Sequence, residues 1–330
     1  LNLTTDIRKA ILFNISGPLC LGVAGIYCYN RKILFTDINK ILLFIGLPII
    51  SNTVYLILVT PDLKEVLVGT GSNPLTSGGF GPNQVATVFG LGMFVFFSRL
   101  LFESKSKLIM IVNMIIVFNI SYRGLLTFSR GGMITGFFMI IILLLIIYIK
   151  TNSAVKSKLN LMFIFLSIIM LVTWLYASNE TEGLIEKRYA NQDASGRTKE
   201  SQLSGREDIY KSEVNAFLAS PVFGVGVAKG VEIREAETGG LIIASHNEIT
   251  RMLAEHGILG IFALMILFIT PMFLYISNRE HLFLFCFILF WILTINHAAM
   301  RIAAPAFIYS LSLLKVKMYE DDTIHREQTV

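Results

Sequence analysis

Charged side chains are scarce in this sequence. Asp, Glu, Lys and Arg make up 15% of its 330 residues, whereas a soluble globular chain contains about 25%. Hydrophobic residues make up 54% of the chain, its mean hydropathy is +0.66, and its long apolar runs consist almost only of Ile, Leu, Phe, Val and Met. This composition excludes a soluble enzyme and a disordered chain, and it predicts a membrane protein.

Cysteine is also rare, and basic residues form no dense cluster. The three cysteines, Cys20, Cys28 and Cys286, all lie inside apolar runs. This placement is typical of small buried residues rather than of a disulfide framework or a metal site. The net charge is +5, but the basic residues are scattered between apolar segments. The sequence therefore predicts no nucleic-acid partner.

Long apolar runs predict the architecture, since a transmembrane helix needs about 20 mostly apolar residues. Nine segments of the chain approach or meet this requirement: 10–29, 41–60, 84–102, 108–122, 131–149, 159–177, 257–277, 282–297 and 302–316. The last is short, and the second half of 108–122 is polar. We therefore predict an all-α integral membrane protein, with about nine transmembrane helices in a single polytopic domain over residues 1–330.

Most Lys and Arg residues of the short connections fall on one side of these spans, which the positive-inside rule assigns to the cytoplasm. They are Arg31, Lys32, Lys40, Lys105, Lys107, Lys150, Lys156, Lys158, Arg279, Lys315, Lys317 and Arg326. The polar segment 178–245 then forms a large extracytoplasmic loop, and we expect it to carry short helices because a structureless loop of that length is uncommon. The N-terminus would also lie outside. With Leu1 as first residue, this predicts further N-terminal spans in a longer chain.

The stretch SHNEITRMLAEHGILG, residues 245–260, joins this loop to the next span. His246 is a candidate general base, because an imidazole with a pKa of about 6.5 is available in its neutral form and a helix N-terminus disfavours its cation. Ser245 is expected to cap the helix. The alternative for His246 is a polar interfacial residue without a role, and a structural role is favoured for His256. His297, at the outer end of a later span, is expected on the same face as His246.

Two arginines lie seven residues apart in SYRGLLTFSRGG, on the outer side between two spans. If this stretch stays helical, Arg123 and Arg130 share one face. An arginine at membrane depth is costly, and its planar guanidinium is suited to bidentate binding of phosphate oxygens. The alternative is that both side chains extend to the lipid headgroups. Gly131 and Gly132 favour a ligand close to the backbone at Arg130.

Two further polar segments are rich in glycine. In SGGFGPNQVA, Asn83 is placed either to hydrogen-bond a polar ligand or to cap a helix. In the outer loop, Arg206 begins an amphipathic helix that Pro221 ends, and GVGVAKG, residues 224–230, is expected to form a flexible turn. This turn is not a nucleotide-binding loop, since it lacks the GKS/T of a P-loop and the preceding strand of a dinucleotide-binding turn.

These segments, in this order, resemble the bacterial O-antigen ligase and polymerase superfamily. The matching pieces are GPNQVA, SRGG, a long outer loop with GRxxxY and SPxxGxG, and HNxxxxxLxExGxxG from His246 to Gly260. The resemblance implies a metal-independent membrane glycosyltransferase with a GT-C-like fold, active on the periplasmic face of the bacterial inner membrane. It also implies about three additional N-terminal spans in full-length relatives, as expected from the outside N-terminus.

The resemblance further implies the substrates and the site. The donor is an oligosaccharide linked to undecaprenyl diphosphate, the acceptor is a second lipid-linked glycan or lipid A-core, and a chain-length regulator is a potential partner. Arg130 and Arg206 are expected to bind the diphosphate, and His246 is expected to act at the acceptor hydroxyl. Supporting roles are expected for Arg123, Asn247, Asn83 and Glu255. No cofactor and no metal ligand are expected.

Three functions stay open at this point. A polymerase is favoured slightly over a ligase, because nothing in the loop indicates a dedicated acceptor domain. A polysaccharide transporter is less favoured, since ionisable residues inside the spans are scarce and the polar residues gather at the outer face rather than at the midplane.

Overall fold

The computed structural model describes residues 6–199, 207–240, 245–297 and 303–319. Its helices are α1 (Ile7–Cys28), α2 (Phe35–Val59), α3 (Leu63–Val66), α4 (Pro82–Phe102), α5 (Lys107–Leu126), α6 (Arg130–Lys150), α7 (Ser153–Glu180), α8 (Leu184–Tyr189), α9 (Glu207–Ala219), α10 (Lys229–Glu237), α11 (Glu248–Ser277), α12 (Leu284–Ile295) and α13 (Ala303–Leu311). Two short strands complete the described part, β1 (Lys32–Leu34) and β2 (Lys315–Lys317). The outer loop of the sequence thus contains α8, α9 and α10.

Among the described residues, seven helices are long and apolar enough to cross a membrane. They are α1, α2, α4 with the turn before it, α5, α6, most of α7, and α11. This agrees with a mostly helical, multi-pass membrane protein, but the expected number of nine spans is not confirmed. The helix α12 has 12 residues and α13 has 9, and at about 1.5 Å per residue neither reaches the roughly 30 Å of a hydrocarbon core.

The two C-terminal helices, α12 and α13, pack inside the protein. Phe287, Phe290 and Trp291 of α12 are at most 2% exposed, and the Trp291 ring packs against Tyr309 of α13 at 4.9 Å between centroids. Beyond Leu311 the chain turns into β2, which pairs in parallel with β1. The predicted span 302–316 is therefore wrong in its second half, where the apolar residues form a turn and a strand.

The helix α4 is the centre of the bundle, and it lies unusually close to α6. Nearly every residue of α4 from Val85 to Ser98 is buried. The approach depends on glycines, because a Cβ at Gly90 would lie 2.0 Å from the carbonyl oxygen of Gly132, and a Cβ at Gly136 would lie 2.3 Å from the carbonyl oxygen of Gly90. Small residues four positions apart, such as Gly132 and Gly136, permit close backbone contact between membrane helices.

The two ends of the bundle differ in composition. At one end, which we call the basic end, the β1–β2 pair brings Lys32 opposite Lys315 and Leu34 opposite Lys317, and Asn278 donates a hydrogen bond to the Leu314 carbonyl at 2.6 Å. The opposite end, which we call the loop end, holds the N-termini of α4, α6 and α11 together with α8, α9 and α10. The motifs that carry the family resemblance lie at the loop end.

Candidate functional site

The starts of α4 and α6 meet at the loop end. The helix α4 begins with Pro82, a favoured first residue because its missing N–H would lack a helical partner. Asn83 follows, and its Oδ1 accepts a hydrogen bond of 2.7 Å from the hydroxyl of Ser129, the residue before α6. This bond joins GPNQVA to SRGG across 46 residues of chain. It also places half-buried Arg130, the first residue of α6, beside the start of α4.

The segment between Arg123 and Arg130 is not one continuous helix. The helix α5 ends at Leu126, and Phe128 adopts a left-handed conformation with φ of 55° before α6 begins. The Thr127 hydroxyl donates to the Gly124 carbonyl at 2.7 Å and accepts from the Ser129 amide, which stabilises this turn. The condition for a common helical face of Arg123 and Arg130 is therefore not met, and the Arg123 guanidinium lies 5.8 Å from the centre of the Tyr122 ring.

Asn247 caps α11 and links it to two other elements. Its Oδ1 accepts from the amides of Ile249 and Thr250 at 2.8 and 3.3 Å, while its Nδ2 donates to the Tyr210 hydroxyl at 3.3 Å and to Asn296 Oδ1 at 3.1 Å. The predicted cap Ser245 is wrong, because α11 begins at Glu248. The Ser245 hydroxyl instead hydrogen-bonds the backbone of Asn247. His246 lies between these two residues and is half-buried.

His297, at the end of α12, lies between these two groups. Its Nδ1 lies 2.7 Å from the Leu293 carbonyl, and because a carbonyl only accepts, this nitrogen carries a proton. Its Nε2 lies 3.2 Å from the Thr87 hydroxyl of α4. A Cβ at Gly131 would lie 2.7 Å from the imidazole ring, so the glycine after Arg130 makes room for His297. Since the preceding residue, Asn296, binds Asn247, the end of α12 connects the Arg130 region with the His246 region.

Two ion-pair groups hold the first turns of α11. Arg251 binds Glu255 at 2.9 Å and Glu248 through Nε at 3.1 Å, and it donates to Asn14 of α1 at 2.7 Å. Glu255, expected in a supporting role, therefore contacts Arg251 one turn below the His246 region. The Glu248 and Glu255 side chains are 1% and 3% exposed. Arg251, paired with two buried carboxylates, therefore connects α11 to α1 through Asn14.

The second group joins the loop helices to α11. Arg234 of α10 binds Glu213 of α9 at 2.9 Å, with side chains 4% and 1% exposed, and the Thr250 hydroxyl of α11 donates to the other oxygen of Glu213. Burial lowers the pKa of Arg234, and the neighbouring carboxylates of Glu213 and Glu255 counteract this shift. Arg206 lies outside the described residues, which resume at Glu207.

The two glycine-containing motifs of the loop bind each other directly. The amides of Val225 and Gly226 donate to the carbonyls of Ala254 and Glu255 at 2.8 and 3.1 Å. Within α11, Gly257 leaves the helical conformation with φ of 60° and ψ of −141°. There a Cβ would lie 2.5 Å from the Pro221 carbonyl oxygen. SPxxGxG is therefore a tightly packed contact with the kink in α11, not the flexible turn expected from its glycines.

The short helix α8 brings two further residues to the start of α6. The Arg188 Nε donates to the Phe128 carbonyl at 2.8 Å, and the Tyr189 ring packs edge-on against Trp174 at 5.1 Å. Burial raises the pKa of Tyr189 to about 12, and the positive charges of Arg130 and Arg188 counteract this shift. Neither Arg188 nor Tyr189 was predicted from the sequence as part of the site. Their only signal is that Lys187 and Arg188 add positive charge in a loop of mixed charge.

An apolar cavity lies next to this group. It has a volume of about 170 Å³ and lies between α4, α5, α6 and α7 with Tyr189 at its rim. Its walls include Met93, Leu125, Met133, Phe137 and Trp174. The chemistry of these walls suits a hydrocarbon chain rather than a sugar.

The described residues contain no group of three or more His, Cys, Asp or Glu side chains that could hold a metal ion. The arrangement instead presents an arginine at a helix N-terminus and a histidine beside a capped helix. A fixed guanidinium and the N-terminal amides of a helix stabilise an anion, and a histidine can accept a proton.

Comparison with known families agrees with this geometry. A family model described as O-antigen ligase matches residues 114–265, from the middle of α5 to the middle of α11. No curated protein sequence gives a significant match. The matched region includes Arg130, Arg188 and His246, together with the interlocked motifs of the loop. Over the matched residues 114–265, this confirms the resemblance to the O-antigen ligase and polymerase superfamily that the ordered motifs predicted.

Proposed function

We propose that this protein is a glycosyltransferase of the bacterial inner membrane that transfers a glycan from undecaprenyl diphosphate to a second lipid-linked glycan. The proposal rests on one observation, which is that separate motifs of the sequence meet at one end of the bundle. They are joined by the hydrogen bonds Ser129–Asn83 and Asn247–Asn296 and by the close contact of Gly131 with His297. The loop end would lie on the periplasmic face, opposite the Lys-rich basic end.

In the proposed reaction, the bond between the donor sugar C1 and the diphosphate oxygen breaks. A new bond forms between C1 and the acceptor hydroxyl oxygen, with inversion at C1. Arg130 and Arg206 would stabilise the negative charge that develops on the departing diphosphate, with Arg123 as a helper at the end of α5. His246 would take the proton of the acceptor hydroxyl, and a positioned base of this kind contributes about 10²–10⁴-fold.

The polar residues around this site would orient the reacting groups. Asn247 holds the start of α11 and therefore the backbone on which His246 lies. Asn83 holds Ser129 and therefore the start of α6 at Arg130. The cavity below Tyr189 would accept the first isoprene units of the donor lipid. No step of this scheme requires a nucleotide or a metal, because a lipid diphosphate is already an activated leaving group. A GT-C-like arrangement of the spans and a chain-length regulator as partner belong to the same proposal.

A ligase is the second candidate, and the description of the matching family as O-antigen ligase favours it. In that case the donor and the site are the same, but the acceptor is lipid A-core or a protein side chain. A polymerase and a ligase are distinguished by incubating purified protein in lipid nanodiscs with a lipid-diphosphate-linked glycan alone. A polymerase releases undecaprenyl diphosphate and lengthens the glycan, whereas a ligase reacts only after lipid A-core is added. A transporter would break no bond, which would refute both proposals.

The assignment of His246 has a matched control in the same helix region. We expect His246→Ala to lower the rate of glycan transfer about 10²–10⁴-fold. His256→Ala, ten residues further along the chain and within α11, should retain most of that rate. If His246→Ala formed product at a near-normal rate, the assignment of the base would be wrong. Arg206→Lys tests the diphosphate contact, since lysine keeps the charge but loses bidentate binding. Full activity of that variant would argue against a bidentate contact.

A further inference from the structure

The turn between α5 and α6 sets the position of Arg130. Phe128 lies in this turn with φ of 55°, a conformation that L side chains other than Asn and Asp rarely adopt. Its side chain is fully buried, so the residue is held both by its ring and by its backbone. Only Ser129 separates it from Arg130, and a change of the Phe128 backbone angles would redirect the first turn of α6.

A contact from a distant part of the chain holds this turn. The Arg188 Nε donates to the Phe128 carbonyl at 2.8 Å, across 60 residues of sequence. A hydrogen bond from a guanidinium is stronger than one from a neutral donor. The helix α8 that carries Arg188 is itself anchored, because Ile185 is fully buried and Tyr189 packs on Trp174. The turn is therefore held by a fixed element rather than by a mobile side chain.

We propose that Arg188 is a positioning residue for glycan transfer, which fixes the left-handed turn at Phe128 and thereby the direction in which Arg130 leaves the start of α6. This inference rests on the proposed function, in which Arg130 binds the diphosphate. Arg188 acts through Arg130, and without its hydrogen bond the backbone of Phe128 relaxes towards a more favourable φ. The outer loop thus contributes to the site through α8 as well as through the motif residues.

The test compares Arg188→Ala with Lys187→Ala in the full chain in lipid nanodiscs. Lys187 is the matched control, because it is the neighbouring cation of α8 and its Nζ hydrogen-bonds Ala194 within the loop. Turnover of a lipid-diphosphate-linked glycan is measured for each variant alone and combined with Arg130→Ala. Hydrogen–deuterium exchange of residues 126–136 is measured in the same samples.

We expect Arg188→Ala to lower kcat at least about tenfold and to speed exchange across 126–136, with Lys187→Ala changing neither. In the Arg130→Ala background, Arg188→Ala should add no further loss, because both substitutions remove the same interaction. The proposal would be overturned if the losses in kcat of Arg188→Ala and Arg130→Ala multiplied in the double variant. It would also be overturned if Arg188→Ala left the hydrogen–deuterium exchange of residues 126–136 unchanged. If the unaltered protein turned over no lipid-diphosphate-linked glycan, either alone or with lipid A-core added, the proposed function would fail. The exchange measurement would still decide whether Arg188 holds the turn.

Discussion

The substitution Gly132→Ala should separate α4 from α6 and disrupt the site at their N-termini. An added Cβ would lie 2.2 Å from the carbonyl carbon of Ala86 and 2.3 Å from its oxygen. Both are backbone atoms, so no side chain can rotate away. The helices must move apart by at least about 1 Å before the methyl group reaches ordinary van der Waals distance.

Two effects follow from this displacement. Overpacking of a close helix contact costs about 1–3 kcal/mol, and the upper part of that range applies because the clash is with backbone. The hydrogen bond from Ser129 to Asn83 is 2.7 Å long and joins the same two helices, so a shift of about 1 Å breaks it. Activity should therefore fall more than the loss of stability alone explains, since Arg130 moves with α6.

The assay is thermal unfolding of purified protein in detergent, together with turnover of a lipid-diphosphate-linked glycan. The matched control is Gly22→Ala in α1, where no atom lies within 4 Å of the added Cβ. There alanine should be neutral or stabilising by up to about 1 kcal/mol, since glycine is the poorer helix former. If Gly132→Ala were as stable and as active as the unaltered protein, the close contact between α4 and α6 would not determine the site.

Three further predictions test the site and the contacts that support it. Asn247→Ala should cost about 1–2 kcal/mol of stability through the lost helix cap, whereas Asn247→Asp keeps the cap acceptor and should lower turnover without a comparable loss in thermal midpoint. Glu213→Gln removes the charge of one carboxylate from buried Arg234 and should cost up to about 3–5 kcal/mol, and the double variant with Arg234→Met should recover part of this stability in the same thermal assay. The pKa of Tyr189 is raised to about 12, so its contribution to stability is complete below its usual pKa of 10 and lost as pH rises towards 12. The thermal midpoint of the unaltered protein should accordingly fall relative to Tyr189→Phe across that interval, and an unchanged difference would contradict the burial of the phenol.

The long spans could be predicted from sequence, because an apolar run of about 20 residues has few other uses. The predicted segments 84–102 and 131–149 differ by at most two residues at either end from α4 and α6. The same criterion is not confirmed for 282–297 and 302–316, where the described helices α12 and α13 have 12 and 9 residues. An apolar run does not show how many of its residues will be helical, and α12, which packs against α6 and α13, ends after 12 residues.

The residues of the candidate site could be identified from motifs, but their contacts could not. Neither Asn83 nor Ser129 carries a signal that pairs them, since they are 46 positions apart and each could equally cap its own helix. Arg188 was missed for a related reason. Its role depends on the left-handed turn at Phe128, and a phenylalanine gives no indication in sequence that it will adopt that conformation.

The glycines of the loop motifs illustrate how a correct motif can carry a wrong structural interpretation. Glycine in a loop usually indicates freedom of the backbone, which is the basis of the flexible turn predicted at 224–230. In the structure its missing side chain permits contact, because a Cβ there would lie 2.4 Å from the carbonyl carbon of Glu255. Gly257 has the same role on the opposite side of this interface. The two motifs therefore form a single structural unit at the kink of α11, three turns below His246. A substitution that separates them should impair the site without touching any residue proposed to contact substrate.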